Sequence, residues 1–366
     1  MRARLRRDLE DLMLIPGLSG FEDRVRRAIK DRLPDGVDAR SDRLGNLIVS
    51  FAGDAAAPSV MLFTHMDQLG FIVRRIADDG LIAVERLGGV PERALAAQPV
   101  LLCVREGADV PGIIANKSHH ATTPDEKYQV VRAPDLRIDT GHGSKAAVEA
   151  AGIRIGTPVV YRPHVMQMAG GRIAGTSVDD RAGCAVLLEV ARDLAARDGG
   201  PTVHVVFSVQ EEFNLRGAVV AAQTLQPDIA IQIDLMNASD TPDMADRGDM
   251  ALGGGPGISL YSFHGRGTLN GVIPHPGMVQ LFEQAAGAVD IALQRSAQVG
   301  VLTDLSYVQL VGQGVASIDI GFPMRYSHSA LEMCDLSDLE GLTRLILAAL
   351  PRIGADFPLN RDEVRP

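Results

Sequence analysis

The sequence predicts an α/β fold: a mixed, largely parallel sheet with helices on both faces, carrying a small inserted β domain. Three observations support this. After Gly170-Gly171, strand-sized apolar runs alternate with segments of helical periodicity, the pattern of a sheet covered on both faces. Between about Gly70 and Tyr161 that alternation gives way to short β-rich pieces broken by Gly-Gly and Pro. At 366 residues the chain is longer than one average domain and can bury a large core, so two domains are expected.

The elements follow in order. The first ten residues are rich in arginine, but Asp8, Glu10 and Asp11 arrive before any apolar stretch of signal length, so the segment reads as a surface helix. Ser19 and Glu22 have the spacing of a capping box after the Pro16-Gly17 turn, and Val25, Ile29 and Leu33 then recur on one helical face. Leu47 to Phe51 and Val60 to Phe63 read as paired strands, the second running into Thr64-His65-Met66-Asp67. Residues 73–165 are assigned to the inserted domain, a small barrel or sandwich, and residues 1–72 with 166–366 to the main one. Phe71 to Ile76 and Leu81 to Val84 flank Asp79-Gly80, a hairpin signal. Val100 to Val104 and Gly112 to Ala115 continue the β texture. Beyond Gly171, helices are expected at Asp179 to Leu194, Leu215 to Thr224, Pro276 to Gln294 and Leu336 to Leu350. Strands are expected at Val203 to Val209, Ile229 to Ile233 and Ala316 to Ile320.

Composition narrows the function classes. No apolar run approaches the roughly 18 residues of a membrane span. A net charge of −10, with no basic block after the first helix, gives no electrostatic footprint for nucleic acid. Cys103, Cys184 and Cys334 are scattered and odd in number, which argues against disulfides or a zinc ribbon and fits a reducing, cytoplasmic setting.

Several predicted strands stop at polar, metal-competent residues. One ends at His65 and Asp67, the next at Glu211 and Glu212, a third at Asp234, and the last runs to just before His328. Asp179 opens the helix that follows the insert. Ligands of open α/β sheets bind beyond the carboxyl ends of the strands, so these residues converge on one crevice. His65, Asp179, Glu212, Asp234 and His328 supply two imidazoles and three carboxylates. That is enough for two divalent ions of the zinc, cobalt or manganese type about 3.5–4 Å apart with a bridging Asp. Zinc is the first expectation. Adjacent residues at a strand end point in different directions, so Glu212 can face the metals while Glu211 faces the bridging water as a general base.

A set of segments resembles the tetrahedral aminopeptidases, relatives of glutamyl and deblocking aminopeptidases. They are Pro16-Gly17-Leu18-Ser19-Gly20-Phe21-Glu22, Leu44-Gly45-Asn46-Leu47, His65-Met66-Asp67 with Gly70-Phe71, and Asp179-Asp180-Arg181-Ala182-Gly183-Cys184. Gln210-Glu211-Glu212 with Leu215-Arg216-Gly217-Ala218, Asp240-Thr241-Pro242, Thr303-Asp304 and Arg325-Tyr326-Ser327-His328 complete it. The resemblance implies that His65 and Asp234 bind one ion, Glu212 and His328 the other, and Asp179 bridges them. It also implies that Glu211 is the base, that Asp67 orients His65, and that the insert is a dimerisation domain whose dimers assemble into a dodecamer. The implied activity is removal of N-terminal residues from short peptides. Two positions depart from the family pattern. Phe213-Asn214 stands where Val-Gly is usual, and Leu302 and Leu305 flank Thr303-Asp304 where Gly and Ala are usual.

Milder readings are set beside these. His119, His120, His142, His164, His204, His264 and His275 are read as structural, with the His119-His120 pair the one to watch. Asp180 is read as structural, pairing locally with Arg181. Gly253-Gly254-Gly255 is a turn near the site, because no Lys-Ser or Lys-Thr follows as a phosphate loop requires. Rival functions are a small-molecule amidase on the same site, a metal-free glycoside hydrolase using two carboxylates, and a non-catalytic scaffold.

Overall fold

The computed structural model describes residues 1–265 and 268–364. Helices α1 (Arg2–Met13) and α2 (Asp23–Lys30) open the chain, followed by strands β1 (Ala39–Ser41), β2 (Leu47–Phe51) and β3 (Val60–His65). The next segment holds β4 (Gly70–Ile76), β5 (Ile82–Leu87), β6 (Pro99–Leu102), β7 (Val110–Ile114), β8 (Ile138–Asp139), the short α3 (Lys145–Ala150) and β9 (Pro158–Tyr161). Then come β10 (Val165–Gln167), β11 (Arg172–Gly175), α4 (Val178–Ala196), β12 (Val203–Ser208), α5 (Gly217–Leu225) and β13 (Ile229–Asn237). The chain continues with β14 (Gly257–Phe263), β15 (Gly271–Val272), α6 (Pro276–Ala288), β16 (Gln294–Val299), α7 (Leu305–Val308), β17 (Ala316–Met324), β18 (Glu332–Asp335) and α8 (Leu336–Ala349).

The main sheet runs β1-β2-β12-β3-β13-β17-β14-β15, with β16 paired to β14. Its centre, β12-β3-β13-β17, is parallel, and antiparallel partners flank it on both sides. Every residue of β3 and β17 is buried, as a strand covered on both faces requires. The alternation of a strand splits its side chains between two cores. Leu62, Val205 and Ile231 pack with α1, α4, α6 and α8 on one face, while Met61, Phe63, Val206 and Ala230 pack with α5 and α7 on the other. Helix α4 lies between the sheet and α1 and α8, and is buried on nearly all sides. Helix α1 is amphipathic: Leu5, Leu9 and Leu12 are buried in the main core.

Strands β4-β5-β8-β7-β6-β9 close into a barrel, which removes the open edges that a free insert would present. Its core includes Phe71, Val84, Val100, Ile138 and Tyr161, with Phe71 and Tyr161 edge to face at 6.3 Å. At the Asp79-Gly80 turn, Gly80 has φ +88°, and a Cβ there would strike the His142 carbonyl, so the position requires glycine.

Three expectations change. Ser19 and Glu22 do not cap α2: Ser19 donates to Asp67, and Glu22 accepts from the backbone N–H groups of Gly20 and Gln210. Tertiary partners outcompete the local box. The helix from Pro276 ends at Ala288 rather than Gln294, because Asp290 adopts φ 51° and the chain turns into β16. Asp180 makes no ion pair with Arg181; it accepts from Thr64 and the Gly183 N–H, while Arg181 donates to the Met66 and Ile15 carbonyls.

A third, small sheet, β10-β11-β18, is antiparallel. It pairs Gly175, just ahead of α4, with Glu332. That pairing brings an acid from the C-terminal part of the chain to the start of α4.

Candidate metal centre and catalytic site

The parallel strands deliver their carboxyl ends to one place. His65 ends β3, Glu211 and Glu212 follow β12, Asp234 lies on β13, and His328 follows β17. Asp179 enters from the first turn of α4, where its peptide bond to Asp180 is cis. Its carboxylate lies between the two imidazoles. Oδ1 is 3.0 Å from Nε2 of His65, and Oδ2 is 3.4 Å from Nε2 of His328. Glu212 Oε1 is 3.9 Å from the same His328 nitrogen.

Two trios of potential ligand atoms, His65-Asp179-Asp234 and Asp179-Glu212-His328, each lie within 4.8 Å of one another. Asp179 belongs to both. Imidazole nitrogens and carboxylate oxygens at this spacing fit borderline divalent cations such as zinc.

Neighbouring residues hold these side chains in place. Asp67 lies 3.4 Å from His65 Nδ1 and accepts the N–H groups of Glu211 and Glu212 at 3.0 and 3.1 Å, joining the end of β3 to the loop after β12. Gln232 Nε2 donates to Asp234 at 3.1 Å. Nδ1 of His328 is 3.0 Å from the carbonyl of Gly89, in the loop between β5 and β6 of the barrel. Glu332 accepts the N–H of His328 through one oxygen at 2.8 Å and the N–H of Asp179 through the other at 3.0 Å.

The electrostatics reflect crowded negative charge. Burial, reinforced by Glu212, Asp234 and Asp304, pushes the Glu211 carboxyl well above the usual range. Burial and Asp179 lift Glu212 to about 7 against the pull of His328. Burial, with Asp180 and Asp179, raises Asp234 strongly. Burial opposes ionisation of Asp179, but the bonds from His328 and His65 outweigh it and hold its carboxyl below the ordinary range. Burial likewise opposes protonation of His65, and its bonds to Asp179 and Asp67 overcome this and raise its pKa well above the usual value. Acids forced together against their own charge are the arrangement a divalent cation relieves.

A cavity of about 440 Å³ opens on this cluster, lined among others by His65, Asp179, Glu211, Glu212, Asp234 and His328. All five residues expected as ligands therefore meet there, together with Glu211. Asn214 and Leu302, the two departures from the family pattern, also line it. So does His264, read from sequence as structural, whose Nδ1 is buried without a partner among the described residues. His119 and His120 lie elsewhere, exposed and edge to face at 5.7 Å. The Gly253-Gly255 turn does not line the cavity; the N–H groups of Gly253 and Gly255 are held by Asp338 of α8, and that of Gly254 by the Ala251 carbonyl. Sequence reasoning missed Glu332 and Gly89, and gave no role to Asp304, which it had placed only in a family-matching segment. Glu332 left one signal, an acid inside the apolar run Leu331 to Cys334.

A metal-dependent hydrolase of peptide bonds is the class this fold and site define. The chain belongs to the M42 glutamyl aminopeptidase family, whose model matches residues 45–345. The Escherichia coli protein SgcX is 38% identical over 323 residues, 88% of this chain and 86% of its own. Among solved structures, the aminopeptidase of Desulfurococcus kamchatkensis superposes with a TM-score of 0.90 at 32% identity, covering 97% of each chain. A Pyrococcus horikoshii TET1 peptidase, described as assembling into a tetrahedron or a large octahedral shell, gives 0.84 at 28% identity over 94% of this chain and 99% of that one. These comparisons favour an aminopeptidase over the amidase, glycoside hydrolase and scaffold readings.

Proposed function

We propose that this aminopeptidase holds two divalent ions and removes N-terminal residues from short peptides. One ion is assigned to His65, Asp179 and Asp234, the other to Asp179, Glu212 and His328. The observation that carries this is the single carboxylate of Asp179 shared between the two trios. Zinc is the proposed metal, with cobalt or manganese as alternatives that elemental analysis separates.

When bound, such ions lower the pKa of a water and polarise the amide carbonyl. The residues of the chain do the rest. Glu211 faces the cluster without being needed in either trio, and its carboxylate takes the proton of the attacking water. A carboxyl lifted by burial is matched to returning that proton to the leaving amine near neutral pH. Asp67 fixes the ring of His65 and, through two N–H bonds, the backbone of Glu211 and Glu212. The free ammonium of the peptide meets a cavity rich in carboxylates, so an acetylated end loses that attraction.

The test is a panel of free and N-acetylated peptides and aminoacyl anilides, with metal restored. Cleavage of the free forms and loss on acetylation is the expected result. Turnover of a non-peptide amide alone would replace this reading with a small-molecule amidase.

Residues 73–165 are proposed as a dimerisation unit inserted between 1–72 and 166–366, with dimers assembling into a dodecamer. Ile113, Tyr128 and Ile155 of that segment are 57%, 84% and 74% exposed, and such apolar residues suit a contact surface. The assembly of the Pyrococcus horikoshii relative supports the same reading. A monomer by light scattering refutes it. Among the described residues, no helix is long and apolar enough to cross a membrane. Together with three free cysteines, this supports a proposed cytoplasmic location.

A further inference from the structure

A small recess opens off the catalytic cavity between β13, β14, β16 and β17. Asp234, Leu235, Asn237, Val301 and Thr303 line both spaces. The far wall of the recess is rich in oxygen, with Ser259, Ser262, Ser296 and the carboxylate of Asp319. Its position follows from topology. Asp319 stands opposite Gln232 in the β13–β17 ladder, so its side chain leaves the sheet on the side of Gln232 and Asp234. Strand β14 pairs with β17 only at Gly257 and Ile258 and then parts from it, opening the gap beside Ser259 and Ser262.

Asp319 and Ser262 are only 3% and 4% exposed. Asp319 Oδ1 accepts from Thr303 Oγ1 at 2.9 Å, whereas Oδ2 has no partner among the described residues, and neither has Ser262 Oγ. No lysine, arginine or histidine is among the described residues lining the recess. Burial pushes the Asp319 carboxyl up to about 7, opposed only by the Thr303 bond. The recess measures about 20 Å³, room for one water-sized particle.

A buried carboxylate is costly unless it is paired, and a neutral water would leave its charge uncompensated. Asp234, the other carboxylate of the lining, is assigned above to a metal ion, which leaves Asp319 alone among neutral hydroxyls, and one such charge matches one positive charge better than two. The apolar side chains of Leu235 and Val301 flank the way in, as an alkyl stem behind a charged head requires. We propose that Asp319, Ser262 and the neighbouring hydroxyls form a binding site for one small monovalent cation. Its source is either the side-chain ammonium of a lysine at the N-terminus of the substrate or a free ion the size of potassium or ammonium. The first source rests on the aminopeptidase reading above; the second does not.

Two measurements on the full-length, metal-loaded protein separate the sources, each made on the wild type, Asp319→Asn and Ser262→Ala. The first is thermal stability at pH 8 in potassium or ammonium chloride against choline chloride at equal ionic strength. The second is calorimetric binding of L-lysinamide against L-norleucinamide, which has a lysine-length chain without the ammonium, run in the Glu211→Gln background so that neither amide is hydrolysed. Loss of a charge-assisted contact predicts a fall of about 10- to 100-fold in cation affinity for Asp319→Asn and a smaller fall for Ser262→Ala. Salt-specific stabilisation that the variants lose assigns the site to a free ion. Preference for lysinamide that the variants lose assigns it to the substrate. Absence of both signals, or signals that neither variant changes, overturns the proposal and leaves Asp319 as a protonated acid beside a water. Should Asp319→Asn fail to fold, Ser262→Ala decides. Binding is read without turnover, so failure of the peptide panel and failure of this site remain distinct results.

Discussion

Replacing Glu332 with glutamine tests whether the metal centre depends on a residue that touches no metal in the proposed scheme. Its two oxygens each accept one backbone N–H, from His328 at 2.8 Å and from Asp179 at 3.0 Å, so one carboxylate sets the positions of the proposed bridging ligand and a proposed terminal ligand. His328 also sits at φ 67°, a left-handed conformation that costs a β-carbon-bearing residue about 1–3 kcal/mol unless its surroundings impose it. Glutamine keeps one acceptor and turns an NH₂ group toward the other N–H. The loss is therefore one bond to a charged acceptor, about 1.5–3 kcal/mol. Expressed wholly at the metals this is about 10- to 100-fold in affinity, the range seen when partners of metal ligands are removed. The assay is competition against a chromophoric chelator, with thermal stability measured in parallel on the metal-free variant. Metal affinity within twofold of wild type would refute the reasoning. So would a loss of stability with intact affinity, because Glu332 would then hold the fold and not the site.

Glu211→Gln should keep both metals while lowering kcat by at least about 100-fold, since an amide cannot take the proton; loss of metal by elemental analysis would make Glu211 a ligand instead. Metal-free protein should lose stability as pH rises from about 5 to 8. Burial lifts Asp319 and Asp338 to about 7, and His65 and His328 are raised well above their usual value, by Asp179 and Asp67 and by Glu212 and Asp179 respectively, against the cost of burial. In each case the folded state binds the proton more tightly. The stabilisation is thus complete below the unfolded pKa, about 4 for the acids and 6.5 for the histidines, and is lost as pH passes the folded value. Asp179 and Asp67 are shifted downward, so their contributions change below this window. A melting temperature in chelator that is flat or rising from pH 5 to 8 would contradict this.

Much of the centre was legible because it is built from strand ends. A buried parallel strand reads as an unbroken apolar run, and a His or an acid at its carboxyl end stands out, as at His65 and Glu211-Glu212. The features that escaped depend on contacts between distant segments. Ser19 and Glu22 carry the letters of a helix cap, yet Asp67 and the Gln210 N–H claim them, and no local pattern foretells that. Strand β16 was hidden because Gln294 to Val299 is mostly polar and lies at an edge of the sheet, where burial leaves little imprint. Glu332 looked like one more acid in a short strand. Its role arises from pairing opposite Gly175, more than 150 residues earlier in the chain.

The bond between His328 and the Gly89 carbonyl bears on when the enzyme acquires its activity during synthesis. Gly89 belongs to a loop of the barrel and His328 follows the last strand of the parallel core, so the ring is seated only when both parts are folded and docked. A nascent chain emerging from the ribosome carries His65, Asp179, Glu211 and Asp234 well before it carries His328. Neither half of the cluster is complete early: one lacks His328 itself, and the other lacks Glu332, which holds the Asp179 N–H. On the proposed ligand assignment, a chain truncated before His328 is therefore expected to be inactive as a peptidase.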